Sequence, residues 1–184
     1  DPISLGRFGW KASTPSVQIQ SANAYRDDMG ITNRLFPQES LAGNTLYATY
    51  RASHPDDDGQ AGREVSDDVL TVVSFYANTL AVPARRNVGD PTGLRGAGLL
   101  ESLKCGSGHG PEFTTGTHPG VWSPQGTVPI PAVSGQKIHP FTDLLLHDMG
   151  EDLADHRSDF QASGREWRTR PLWGIGLTLT VNPL

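Results

Sequence analysis

One short stretch of the chain carries residues whose types and spacing could do chemistry: Cys105-Gly106-Ser107-Gly108-His109. A c-type haem site uses the pattern Cys-x-x-Cys-His. Two thiols add to the haem vinyl groups, and the adjacent His ligates the iron. Here Cys105 and His109 stand at the right offsets, but Gly108 replaces the second thiol. One thioether is enough to hold a haem covalently, and His109 can still ligate. On the residues alone four arrangements stay open. They are a single-thioether haem, a haem held without a covalent bond, a mononuclear metal held by His109, Cys105 and a neighbouring His, and a glycine-rich turn that binds nothing.

A distal ligand would have to come from elsewhere in the chain. Both Met residues lie in the same tripeptide, Asp28-Met29-Gly30 and Asp148-Met149-Gly150. A thioether is a soft ligand, and His/Met ligation raises the potential of a haem. Met149 is therefore the candidate distal ligand for an iron at His109, and Met29 for a second, upstream site. Core packing beside a turn glycine is the alternative for both. His147 competes with Met149 as distal ligand or donates a hydrogen bond to a haem propionate. His139, before Pro140, is read as structural, and His54, His118 and His156 lie in polar stretches. Arg165 and Arg168, with Trp167 between them, suit a propionate clamp, and a surface ion pair is the alternative. Trp10 and Trp173 suit packing on a porphyrin, with core packing as the alternative.

The elements that must position these groups read as follows. Residues 16–29 predict a helix with Val17, Ala24 and Met29 near one face and Gly30 as its stop. Residues 37–63 read as an exposed loop. Within it, His54-Pro55-Asp56-Asp57-Asp58-Gly59 lacks the spacing and the twelfth-position Glu of a calcium loop, so it reads as a solvated turn. Residues 64–82 predict the best helix. Ser66 is its cap, Asp67 and Asp68 complement the dipole, and Val69, Val72, Val73, Tyr76 and Leu80 form an apolar stripe closed by Pro83. A linker at 85–87 leads to a weak, Gly-containing helix over 93–103 that runs into the Cys105 turn. Residues 110–137 are loop-rich, with a hairpin around 121–133. Residues 140–147 predict a short helix after Pro140. A polar loop over 150–170 and an apolar segment over 172–181 complete the chain.

Composition bounds the class. The chain has 184 residues, a formal net charge of -5, 21 Gly, 14 Pro and one Cys. It is long enough to bury a core, and one Cys excludes a disulfide framework. A net negative charge argues against nucleic acid as the main partner. No run of about 18 apolar residues exists, so no membrane span is expected. The N-terminal residues lack the pattern of a signal peptide. Gly and Pro make up near a fifth of the chain, against roughly 12% on average. Four Trp and six Phe argue against disorder. The balance points to a loop-rich fold wrapped around something rigid, such as a metal or cofactor. Lys11, Lys104 and Lys137 are the only lysines, so arginine supplies most of the positive charge. Guanidinium suits fixed pairing with carboxylates, those of a bound ligand included.

Several blocks resemble the di-haem oxidoreductase family, the peroxidase-like "thiol oxidoreductases" related to bacterial di-haem cytochrome c peroxidases. They are Gly6-Arg7-Phe8-Gly9-Trp10-Lys11-Ala12, Asp28-Met29-Gly30-Ile31-Thr32, and Val65-Ser66-Asp67 leading to Phe75-Tyr76 and Leu80-Ala81-Val82-Pro83-Ala84-Arg85-Arg86. The 105–109 site follows, then Ile138-His139-Pro140-Phe141-Thr142-Asp143 with Leu144-Leu145-Leu146-His147-Asp148-Met149-Gly150. Last come Ser163-Gly164-Arg165-Glu166-Trp167-Arg168-Thr169 and Pro171-Leu172-Trp173-Gly174. The blocks are in family order and cover most of the chain outside 37–63 and 110–135.

The resemblance implies a mostly α fold, a cytochrome-c-like haem domain with long irregular loops and one small hairpin. Residues 1–63 would be the tail of a first haem-domain region plus a loop, and 64–184 a second haem domain, incomplete at its C-terminus. The first haem motif of the family would fall before Asp1. The implied function is electron transfer through haem c held by Cys105 and His109, with Met149, Arg165 and Trp173 completing the site. The location would be periplasmic. The partner would be a redox protein or the remaining part of a di-haem oxidoreductase. With both axial positions filled this haem relays electrons, and peroxide chemistry would need an open iron on the other haem. The alternative is a haem-free structural or interaction subunit that keeps the fold.

Overall fold

The computed structural model describes residues 4–41, 44–54 and 63–181. Contacts divide the chain into two units that interleave along the sequence. One takes in residues 1–8, 14–80 and 119–130, the other residues 9–13, 81–118 and 131–184.

The first unit is built on two helices that pack together, α1 (Val17–Met29) and α3 (Asp67–Thr79). Ser16 caps α1 by accepting the Ile19 N–H at 3.2 Å. Gly30 ends it at φ 69°, where a side chain is disfavoured and glycine is not. Ala22, Val65 and Leu70 are buried between the helices, with Tyr25, Ile31, Leu35 and Phe36 packed around them. The polar groups taken inside are satisfied, as burial requires. Asn33 is fully buried; its amide donates to the Ala22 carbonyl at 2.8 Å and its oxygen accepts from Leu35 N and Phe36 N. Thr32 donates to Glu64 through its N–H and its hydroxyl, at 2.8 and 3.0 Å.

A hairpin of β2 (Val121–Ser123) and β3 (Gly126–Val128) closes this unit. It lies inside the 121–133 stretch where a hairpin is expected. The Trp122 carbonyl accepts from Gln18 and Thr71, and the Arg34 guanidinium stacks 3.7 Å over the Trp122 ring.

Two expectations for this unit need correction. The stretch 37–63 is not all loop, because Asn44 caps a helix, α2 (Thr45–Ser53), by accepting from Leu46 N and Tyr47 N. The Asp56–Gly59 run lies outside the described residues. The α3 stripe is the second correction. The helix buries Leu70, Thr71 and Ser74, while Val72 and Tyr76 stay 67% and 65% exposed. The face toward α1 and the hairpin is chosen by contact, not by the largest count of apolar side chains. Its two hydroxyls fit because each bonds back to the carbonyl four residues earlier, Thr71 to Asp67 and Ser74 to Leu70.

The second unit carries α4 (Pro91–Ser102), which replaces the shorter helix expected over 93–103. Asp90 caps it through Thr92 N and Gly93 N, and Pro91 fills the first helical position, where its missing N–H costs nothing. Two antiparallel ribbons follow. The first pairs β1 (Phe113–Thr114) with β4 (Lys137–Ile138). The second pairs β5 (Leu146–Asp148) with β6 (Glu166–Arg168), with His147 opposite Trp167. Short helical turns occupy 151–153 and 175–177, and the one-turn helix α5 (Thr178–Val181) ends the described chain.

The helix expected over 140–147 is absent. Phe141 and Leu144 take left-handed conformations at φ 53° and 59°. The Thr142 hydroxyl accepts Leu144 N and the Asp143 carboxylate accepts Leu145 N, each offering the backbone a local alternative to a helix. The residues after them join β5. The polar loop over 150–170 likewise contains β6. Among the described residues five α-helices share the chain with three two-stranded ribbons, so the fold is mixed rather than mostly α. No helix among them is long and apolar enough to cross a membrane.

Candidate functional site

The site grows out of the end of α4. Lys104 turns left-handed at φ 59° and breaks the helix, and Cys105–Ser107 form one tight turn. The His109 N–H then donates to the Cys105 carbonyl at 2.9 Å. That bond sets thiol and imidazole one turn apart. Both residues are half-buried, and the Cys105 thiol is free, with the Leu103 carbonyl 3.9 Å away.

His109 Nδ1 lies 2.8 Å from the Phe141 carbonyl oxygen. A carbonyl only accepts, so Nδ1 carries a proton and Nε2 is the nitrogen that can offer a lone pair. A histidine oriented in this way by its second nitrogen is prepared to ligate a metal. The support crosses 32 residues of sequence, and nothing in the local pattern announces it. The left-handed Phe141 that presents the carbonyl is the same residue that stops the expected helix.

Gly108, where a second thiol would stand, adopts φ −114°, a backbone open to any residue. A Cβ built there meets His147 Cε1 and Nε2 at 3.7 Å and Thr169 Oγ1 at 3.8 Å, ordinary contact distances. Neither backbone nor space forces glycine at this position. His147 is held there by Asp143, whose carboxylate lies 2.8 Å from Nε2, while the Asp143 N–H donates to the Gly108 carbonyl. Burial pushes the Asp143 carboxyl up. The Leu145 N–H, the Thr169 hydroxyl and His147 together outweigh it and hold the group below its ordinary value.

The other expected site residues fall in three places. Met149 follows β5, its N–H bonds the Arg165 carbonyl at 2.9 Å, and its side chain is 48% exposed. Among the described residues no hydrogen bond ties it to the Cys105–His109 turn. Arg165 forms an ion pair with Asp148 at 2.8 Å, both half-exposed. Trp173 lines a separate cavity of about 330 Å³ together with Leu100, His139 and Phe141. The two Asp-Met-Gly tripeptides share a glycine at positive φ, Gly30 at 69° and Gly150 at 78°, but only Gly30 is in the left-handed helical region, and one follows a helix and the other a strand.

Sequence reasoning missed Lys11. It is buried to 6% exposure, 3.0 Å from Asp155 and 4.2 Å from the centre of the Trp167 ring. It also missed Arg85 and Arg86 as cavity residues. Arg168 acts structurally: Nε donates to the Gly9 carbonyl at 2.8 Å. Trp10, largely exposed, lies under the Arg170 guanidinium at 4.9 Å. Among the described residues no three His, Cys, Asp or Glu side chains gather as a metal-binding group, so the mononuclear alternative finds no third ligand there.

A family model described as "Di-haem oxidoreductase, putative peroxidase" matches residues 1–184, the whole chain. The chain belongs to this family. No curated protein and no solved structure matches it. Membership places the di-haem oxidoreductase chain in a redox context and makes haem the group against which its residues must be tested. They fit one. Cys105 could carry a thioether and His109 could ligate iron: a half-buried thiol, 3.9 Å from the Leu103 carbonyl, sits one turn before an imidazole held through its Nδ1.

Proposed function

We propose that this chain is a c-type haem electron-transfer protein of the di-haem oxidoreductase family, with the haem held by Cys105 and His109. The observation that carries the reading is the hydrogen bond from His109 Nδ1 to the Phe141 carbonyl, which orients the imidazole on a turn that also presents a thiol. The haem supplies a one-electron iron couple when bound. The chain's own part is to anchor and orient it. Cys105 would hold the haem through a single thioether, since Gly108 offers no second thiol. Phe141 fixes the imidazole tautomer, and the Asp143–Gly108 bond holds the turn against the β5 segment. Met149 is the candidate distal ligand.

The sequence division goes with this reading, residues 1–63 as the tail of a first haem-domain region plus a loop and 64–184 as a second cytochrome-c-like haem domain, although α3 and the β2–β3 hairpin belong to the first compact unit. The location we propose is the periplasm, and the partner a redox protein or the remainder of a di-haem oxidoreductase.

The test is an absorption spectrum and an intact mass of the full chain made with haem-attachment machinery. A Soret band with a mass increase of one haem supports the reading. Cys105→Ala should abolish the mass increase, His109→Ala should shift the band, and Met149→Ala should abolish the long-wavelength band that marks Met ligation in the oxidised form. A colourless protein of unmodified mass refutes the reading.

A further inference from the structure

We propose that Arg85 and Arg86, and not Arg165, receive the two carboxylates of a bound porphyrin, at the rim of the cavity in the second unit. The inference rests on the haem reading and adds the residues that recognise the acid edge of the macrocycle. The cavity is lined by Leu100, Phe141, Trp173 and Ile175 along with the two arginines, and no acidic side chain lines it. It therefore offers an apolar, partly aromatic wall beside two positive charges, the combination that a flat dicarboxylic ligand satisfies.

The guanidinium groups are available. Among the described residues neither Arg85 nor Arg86 forms an ion pair with Asp or Glu. The Arg85 guanidinium lies 5.5 Å from the centre of the Phe141 ring. Arg86 reaches across to Gly176, where its Nη2 would stand 3.1 Å from a Cβ. Arg165 differs on this point, because its guanidinium is already matched by Asp148 at 2.8 Å. A guanidinium takes a carboxylate bidentately and keeps its charge at any ordinary pH, so an unmatched pair is a strong receptor for a dianion.

Phe141 links the cavity to the iron-ligand side. It lines the cavity, and its carbonyl holds His109. At about 330 Å³ the cavity sits near the lower end of small-ligand sites. It suits an edge of a macrocycle rather than the whole.

The experiment titrates the full chain with metal-free protoporphyrin IX and, separately, with its dimethyl ester, following quenching of tryptophan fluorescence. The diacid should bind about tenfold tighter than the ester or better, since one charge-assisted pair is worth at least that factor. Arg85→Gln with Arg86→Gln should erase the difference while the circular dichroism spectrum stays unchanged. Arg165→Gln should keep it. Equal binding of diacid and ester, binding of neither, or a preference lost with Arg165→Gln but kept in the double variant overturns the proposal. The haem reading is scored separately by mass. A haem adduct on Cys105 without diacid preference sinks the rim and leaves that reading standing. A diacid preference without an adduct does the reverse.

Discussion

Helices α3 and α4 are nearly equal in length, 13 and 12 residues, and both begin on an oxygen cap, Ser66 or Asp90. Their fates differ. Helix α3 buries Leu70, Thr71 and Ser74 within its own unit, whereas α4 buries no residue and exposes Leu94 and Leu99. It also carries Gly93, Gly96 and Gly98, each costing about 1 kcal/mol against alanine. A helix this short is marginal in water by itself, and packing of a face supplies most of its stability. Helix α3 has that packing. Helix α4 has no buried face; it lines a cavity and delivers the Cys105 turn. Helix α3 is anchored by buried side chains, and α4 borders a cavity.

This contrast can be broken by mutation. Leu70→Ala should destabilise the first unit by about 2–5 kcal/mol, as the removal of a fully buried leucine does. Leu99→Ala on α4 should cost no more than about 0.5 kcal/mol in the ligand-free protein. Urea denaturation followed by circular dichroism measures both, and equal losses would void the contrast.

Asp143→Asn should cost about 1 kcal/mol at neutral pH by weakening the bonds to Leu145 N and His147. The folded-state carboxyl lies below its ordinary value, so its contribution is present above the unfolded value near about 3.9. That contribution disappears as pH falls through the folded value. The variant should therefore show a flatter acid limb below about pH 4 in stability measured against pH.

Gly98→Ala should stabilise α4 by about 0.5–1 kcal/mol, because a Cβ there meets nothing within 4 Å. Slower amide hydrogen exchange over 91–102 would report it. The smallest effect is expected for Arg165→Gln, under about 0.5 kcal/mol, since both partners of its ion pair are half-exposed. A larger loss on thermal unfolding would mean that Arg165 holds the β5–β6 ribbon and not just its surface.

Local features were legible in advance where their cause is local. The start and stop of α1 follow from Ser16 and Gly30, and the start of α3 from Ser66 and the two aspartates after it. The offset of Cys105 and His109 is itself a statement about one turn. The stripe Val69, Val72, Val73, Tyr76 gave the type of α3 correctly and its buried face wrongly, because periodicity shows that a face exists but not which neighbour arrives. The segment 140–147 misled for a related reason. Spaced apolar residues after a proline fit a helix, while the competing bonds of Thr142 and Asp143 and the pairing with Glu166–Arg168 become visible only in three dimensions.

The sequence by itself determined the family, the thiol and imidazole on one turn, and the loss of a second thiol at Gly108, since each is written in residue identity and short spacing. Tertiary structure decided that Phe141 orients His109, that Asp143 holds His147 beside Gly108, and that Arg165 pairs with Asp148 while Arg85 and Arg86 line a cavity. Those outcomes depend on pairings across tens of residues, where many partners of equal chemistry compete and only the folded backbone selects among them.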